Sequence, residues 1–253
     1  MNWYGCWAFF VKEVRRFYSV AVQTVFAPIV STLLFLLIFG QVIDTRLDAF
    51  SGLSYSQFLI PGLVMMAILQ NAFSNSSSSI IQSKMYGNLT FVLVSPISPL
   101  ELYIAFIGAA VIRGLAVGLG VLLVGWLWFD LAWYSVSWVV LFAVLSAALM
   151  GGIGLIAGIL SEKYDHLAAF QNFIIMPLTF LSGVFYSIHS LPAMWQTISH
   201  FNPFFYMVDG FRYGFYAHSD VSVYLSLGVT LVFLLLVTVI NLILLVKGVK
   251  IRH

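Results

Sequence analysis

The side chains that most often do chemistry are few in this sequence and badly spaced for it. Its five lysines, Lys12, Lys84, Lys163, Lys247 and Lys250, follow Val, Ser, Glu, Val and Val. None can close a phosphate-cradling G-x-x-x-x-G-K-[ST] loop, which needs a glycine directly before the lysine. The five histidines, His166, His189, His200, His218 and His253, fall in no H-x-x-x-H or H-E-x-x-H spacing. That spacing is what sets two imidazoles on one helix face around a metal. There is no G-x-S-x-G elbow either, which leaves only a Ser/His pair drawn from separate segments as a route to nucleophilic catalysis. Cys6 has no second cysteine to pair with and reads as packing. The expectation is a chain with no catalytic residue, no metal, no cofactor of its own and no nucleic-acid partner.

What must position the remaining polar residues is a bilayer. Of 253 residues, 62% are hydrophobic and only 8% charged, with a mean hydropathy of +1.03. A soluble fold of this size cannot hide so much apolar surface. A transmembrane helix needs about 20 mainly apolar residues, and six stretches qualify: Val20–Ile43, Phe58–Ile81, Leu102–Leu127, Ser137–Leu160, Leu167–Tyr186 and Val223–Val246. The second ends in the polar run Asn75-Ser76-Ser77-Ser78-Ser79, whose hydroxyls can bond back to the helix backbone. The fold expected is all-α, one polytopic domain over 1–253 with six transmembrane helices.

Basic residues orient these spans. With the N-terminus inside, Lys12, Arg15, Arg16, Lys84, Lys163, Lys247, Lys250 and Arg252 all fall on the cytoplasmic side, while Arg46 and Arg212 lie outside. Both termini are therefore expected in the cytoplasm. A seventh crossing would reverse the basic tail. The segment 188–216, with Pro192, Asn202-Pro203, Asp209 and Arg212, is too polar to face lipid. It is expected as one or two short re-entrant helices on the outer face, with Asp209 and Arg212 one turn apart and able to pair at the surface.

Residues 1–19 place their charge after the apolar run, and no A-x-A site follows, so they do not read as a cleaved signal. Helical spacing puts Trp3, Trp7, Phe10, Val11, Val14, Phe17 and Tyr18 on one face and Lys12, Arg15, Arg16 and Ser19 on the other. This is the pattern of an amphipathic helix in the inner headgroup layer. The connection 82–101 is the one cytoplasmic loop with room for a partner. Trp126, Trp128, Trp133, Tyr134 and Trp138 are expected in an outer aromatic belt.

Arg113 lies within a span and must face protein or water. Two readings stand: a contact with substrate or a gate, and a structural pairing with Gln70, Asn71, Gln171 or Asn172. Gly114/Gly118 and Gly154/Gly158 form small-residue faces suited to close helix approach, within the subunit or between copies. Glu162, Lys163, Asp165 and His166 read as a solvated turn.

The order of these features resembles the membrane subunits of ABC-2 type exporters over nearly the whole chain. The opening helix with Lys12, Arg15 and Arg16 looks like that family's elbow helix. Lys84-Met85-Tyr86-Gly87-Asn88-Leu89-Thr90 running into Leu93-Val94-Ser95-Pro96-Ile97-Ser98 looks like its coupling loop. Phe180-Leu181-Ser182-Gly183-Val184-Phe185 before Leu191-Pro192 is similar to its fifth-span ending, and Asn202-Pro203 with Asp209 and Arg212 resembles its outer re-entrant helices. Where the family often has an acidic residue, this chain has Phe91. The resemblance implies a bacterial inner-membrane permease, two copies of which work with two ATPase subunits that carry the ATP and magnesium. It implies that Lys84, Tyr86, Gly87, Leu89, Leu93 and Pro96 serve coupling, and that the cargo is a drug, lipid or glycan. An ion-gradient-driven secondary transporter or channel is the alternative. Such proteins usually carry acidic residues inside the bilayer, and here every Asp and Glu falls at or beyond a span end.

Overall fold

A computed structural model describes residues 2–43, 54–88, 95–129 and 131–248, and these are helical nearly throughout. Helix α1 is Trp3–Tyr18, α2 Ala21–Ile43, α3 Tyr55–Met85, α4 Pro99–Trp128 and α5 Val136–Leu160. A broken helical segment follows, α6 Tyr164–Phe170, a π turn Gln171–Ile175 and α7 Met176–Phe180. A 3₁₀ turn at Ile188–Ser190 leads to α8 Ala193–His200, α9 Pro203–Tyr216 and α10 Val223–Lys247.

Helix α3 is the axis of the bundle. It begins on a capping box, the Ser54 hydroxyl accepting from the Gln57 N–H while the Gln57 side chain accepts from the Ser54 N–H. Its polar run stays helical because the hydroxyls bond back: Ser77 donates to the Phe73 carbonyl at 2.8 Å and Ser78 to the Asn75 carbonyl at 3.3 Å. The helix thus continues past Ile81 to Met85. Both glycine faces are spent against it. Gly114 lies where a β-carbon would be 3.2 Å from the Ile68 carbonyl, and at Gly154 a β-carbon would overlap the Phe73 carbonyl oxygen. The small residues therefore serve packing within the subunit.

Five described helices are long and apolar enough to cross a membrane: α2 over Ala21–Ile38, α3, α4, α5 and α10. The stretch Leu167–Tyr186, expected as a single span, is instead divided by the π turn and stops at Phe180, where Leu181 leaves the helix. Helix α2 packs along α4 and α3 but buries little of itself; Val22, Phe26, Val30, Leu34 and Leu37 all point outward.

Candidate functional site

At one end of the bundle α1 is fastened to the start of α4. Asn2 caps α1, its side-chain oxygen accepting from the Gly5 N–H at 3.0 Å. Its side-chain nitrogen donates to the Pro96 carbonyl at 3.2 Å, and its backbone N–H donates to the Glu101 carboxylate. Glu101 is itself half of a capping box with Ser98. Phe9 meets Phe106 edge to face, centroids 5.0 Å apart. The buried stripe of α1 is Cys6, Phe9, Glu13 and Phe17, whereas Trp3, Trp7 and Tyr18 are largely exposed. The helix is amphipathic, but its protein-facing stripe is not the face that apolar spacing alone selects.

Arg16 accounts for the difference. Sequence spacing places it with Lys12 and Arg15 on the polar face; in the structure it turns inward. Its Nε donates to Glu13 at 3.2 Å, and its guanidinium donates to the Ser78 hydroxyl at 3.0 Å and the Asn75 carbonyl at 2.6 Å. Glu13 has no exposed surface and is neutralised from the other side by Lys12 at 3.0 Å. Lys12 keeps half its side chain exposed, and Arg15 is exposed. Arg113, in the middle of α4, sits 3.5 Å from the Asn71 side-chain oxygen and 6.0 Å from the Phe17 ring. Of its open readings, the structural pairing with a neighbouring span is the one whose partner is in contact.

The loop residues divide. Lys84 folds back on the C-terminus of α5, where its ammonium donates to the carbonyls of Gly158 at 3.1 Å, Ser161 at 3.0 Å and Ile159. Those carbonyls lack helical partners, and the helix dipole favours a cation there. Tyr86 is exposed, and Gly87 turns the chain at φ +70°, which a side chain rarely adopts. Pro96 is exposed. Leu89 and Leu93 lie outside the described residues, as do Arg46, Lys250 and Arg252.

At the opposite end α9 is almost wholly buried. Asn202 caps it, accepting from the Phe204 N–H at 3.0 Å and donating to the Leu178 carbonyl at 2.6 Å, and Pro203 occupies the first helical position. Asp209 and Arg212 are 1% and 6% exposed, so the surface pair expected from their spacing is corrected on both counts. Among the described residues they form no ion pair with each other. Asp209 accepts from the Asp220 N–H at 2.7 Å, the Val221 N–H at 3.4 Å and the Ser226 hydroxyl at 3.3 Å, tying α9 to the start of α10. Arg212 donates to the Gly183 carbonyl at 2.7 Å and stacks 3.9 Å from the Phe58 ring centroid. Asp220 completes the clasp by accepting from the Ser187 hydroxyl at 2.6 Å and the Ile188 N–H at 2.8 Å. Burial pushes the Asp209 carboxyl up to about 6, against the lowering effect of the N–H donors and Arg212.

Sequence reasoning passes over Glu13, Glu101 and Asp220. The Ser98-Pro99-Leu100-Glu101 run carries a readable capping-box signal, and Glu13 stands one turn before Arg16. Nothing local marks Asp220, whose partners Ser187 and Ile188 are more than 30 residues away.

This arrangement is a membrane bundle with an amphipathic helix latched across one end and a buried polar clasp at the other. The family model for the ABC-2 type transporter matches residues 4–216. The chain belongs to the ABC-2 type transporter family. It is 37% identical over 234 residues to the inner membrane transport permease YadH of Escherichia coli K12, covering 92% of this chain and 91% of that one. It is also similar to nodulation protein J of Rhizobium leguminosarum bv. trifolii, at 22% identity over 93% of this chain and 89% of that protein. Nodulation protein J of Neorhizobium galegae is 20% identical over the same shares. The chain is thus a membrane transport permease of the ABC-2 type.

Proposed function

We propose that this permease is the membrane half of an exporter, in which two copies flank the cargo path and a separate ATPase supplies the energy. The observation that carries this reading is the exposed face of the broken segment. Asn172 is exposed in the π turn beside Phe173, which is 80% exposed, and Gln171 next to it is half-buried. A polar amide at membrane depth should face protein or a water-filled path rather than lipid. A second copy seated on this face would cover the exposed aromatics and leave the amides lining a route between subunits. The cargo that suits such a route is amphipathic: a drug, a lipid or a glycan-type molecule.

The segment Leu167–Tyr186 serves in this reading as the fifth of six crossings, joining the five long helices. Its start follows Ser161, held by Lys84 at the α1 end, and Ser187 just beyond it is held by Asp220 at the α9 end. Six spans with both termini in the cytoplasm also keep Lys12, Arg15, Arg16 and Lys84 on the inner side. Helix α1 then acts as the elbow in the inner headgroup layer, α8 and α9 as the outer re-entrant pair, and 82–101 as the loop that meets the ATPase. Lys84 braces that loop from within, which leaves Tyr86, Gly87, Leu89, Leu93 and Pro96 as the coupling residues. ATP and magnesium would bind the partner, since this chain has no phosphate loop of its own.

Cys6 is the only cysteine, so a Cys6→Ser background permits clean cross-linking. Phe173→Cys in native membranes should form a disulfide-linked dimer on mild oxidation. A dimer that cross-links through an exposed α10 position such as Leu235→Cys, and not through Phe173→Cys, would overturn the arrangement. Leu93→Asp should abolish ATP-driven transport with protein level unchanged, and full transport in that variant would remove the loop from the coupling role.

A further inference from the structure

A cleft of about 390 Å³ opens beside α1, between it and the last turns of α3. Lys12 and Arg16 line its wall, while Glu13 is fully buried behind it. Ser79 lines the cleft from α3, 1% exposed, and its hydroxyl has no hydrogen-bond partner among the described residues. Gln82 adds an amide beside it, and the rings of Phe9 and Tyr86 supply apolar walls. Lys12 uses one of its three protons on Glu13 and stands 4.6 Å over the Phe9 ring. The site therefore offers two cations, an unspent buried hydroxyl and an amide against an aromatic surface.

We propose that this cleft binds the headgroup of an anionic phospholipid of the inner leaflet, the phosphate diester sitting between Lys12, Ser79 and Gln82 and the glycerol end against Phe9 and Tyr86. A hydroxyl buried without a partner is costly to leave unmade, and a phosphate oxygen satisfies it. A charge-assisted hydrogen bond from Lys12 to a phosphate oxygen adds to the general attraction that any cation at the membrane surface has for anionic lipid, and this direct bond is what distinguishes Lys12 from Arg15. The aromatic walls favour an amphipathic ligand over free phosphate. The inference rests on α1 lying in the inner headgroup layer, but it does not depend on the cargo, the dimer or the ATPase.

The test is a titration of the purified full chain in detergent micelles, followed by thermal unfolding and by native mass spectrometry. Phosphatidylglycerol should raise the unfolding midpoint and remain bound, and phosphatidylcholine should do neither. Lys12→Gln and Ser79→Ala each remove a direct bond to the phosphate and should weaken phosphatidylglycerol binding about fivefold, while Arg15→Gln, which removes a charge outside the cleft, should leave it within about twofold. Equal weakening by Arg15→Gln and Lys12→Gln would reduce the effect to surface charge and overturn the site. Inorganic phosphate that protects as well as phosphatidylglycerol would overturn the lipid assignment. Because the readout is binding without transport, failure here leaves the exporter reading to its own tests.

Discussion

Arg16 of α1 closes on Asn75 of α3, its Nη2 2.6 Å from the Asn75 carbonyl oxygen, with Glu13 held behind it. Together with the Asn2 and Phe9 contacts to the start of α4, this fixes α1 to the bundle, here to its central helix. Arg16→Gln leaves Glu13 buried with Lys12 alone and removes the bonds to Ser78 and Asn75. Hydrogen bonds to charged groups are worth about 1.5–3 kcal/mol, so the variant should unfold several degrees lower in detergent. Labelling of an introduced Phe17→Cys should rise in the same variant. Unchanged stability and unchanged labelling would mean that α1 is held by its contacts with the start of α4, through Asn2 and Phe9, without need of Arg16.

Lys84 spans from the end of α3 to the end of α5, and its substitution should act on stability first. Lys84→Met leaves the carbonyls of Gly158, Ile159 and Ser161 without their cation, at a cost of about 1–2 kcal/mol. Thermal unfolding of the isolated chain measures this. A residue that only touched the ATPase would leave the isolated chain's midpoint where it was.

Two glycines offer a matched comparison on long helices. Gly154→Ala drives a methyl into the Phe73 backbone, which has no side-chain freedom to yield, and should cost stability or expression. At Gly228 an added β-carbon would meet nothing within 4 Å, so Gly228→Ala should be neutral or stabilising by about 0.5–1 kcal/mol. Expression level and unfolding midpoint together separate the two.

Asp209 gives the chain a pH dependence of unusual sign for an acid. Its carboxyl holds a proton up to about 6 in the folded chain, above the ordinary 3.8, so between those values the folded state binds the proton that the unfolded state has released. Stability contributed by this group is therefore full below pH 3.8, falls as pH rises towards 6 and is flat above. The span of the effect is on the order of 2–3 kcal/mol. Asp209→Asn should flatten the slope of the unfolding midpoint between about pH 4 and 6. A slope equal to that of the parent chain would assign it to other groups.

How much of this is legible in the sequence depends on the range of the forces involved. The long helices follow from apolar length, and the Ser-rich end of α3 follows from hydroxyls that bond within four residues, so both can be read locally. The pairing of Arg113 with a neighbouring span is among the open readings because a buried guanidinium demands a polar neighbour, and Asn71 is one of its candidate partners. The inward turn of Arg16 is not readable: apolar periodicity assigns a charged residue to the wet face, and only the Asn75 carbonyl and buried Glu13 reverse that. Asp209 and Arg212 have the spacing to pair with each other, yet each finds a better partner on a distant segment, Asp220 and Gly183. The π turn at Gln171–Ile175 does have a local signal: Pro177 has no N–H for the Phe173 carbonyl and its ring crowds that carbonyl, so the regular helical ladder is interrupted there.

The central claim is that this permease moves cargo only when an ATPase on another chain drives it. Purified chain in proteoliposomes, with and without its partner ATPase, measures this directly through ATP turnover and release of a fluorescent amphipathic cargo. The account predicts no turnover by the chain alone and ATP-dependent transport once the ATPase is added. Turnover by the lone chain, or transport driven by an ion gradient with no ATPase present, would contradict it.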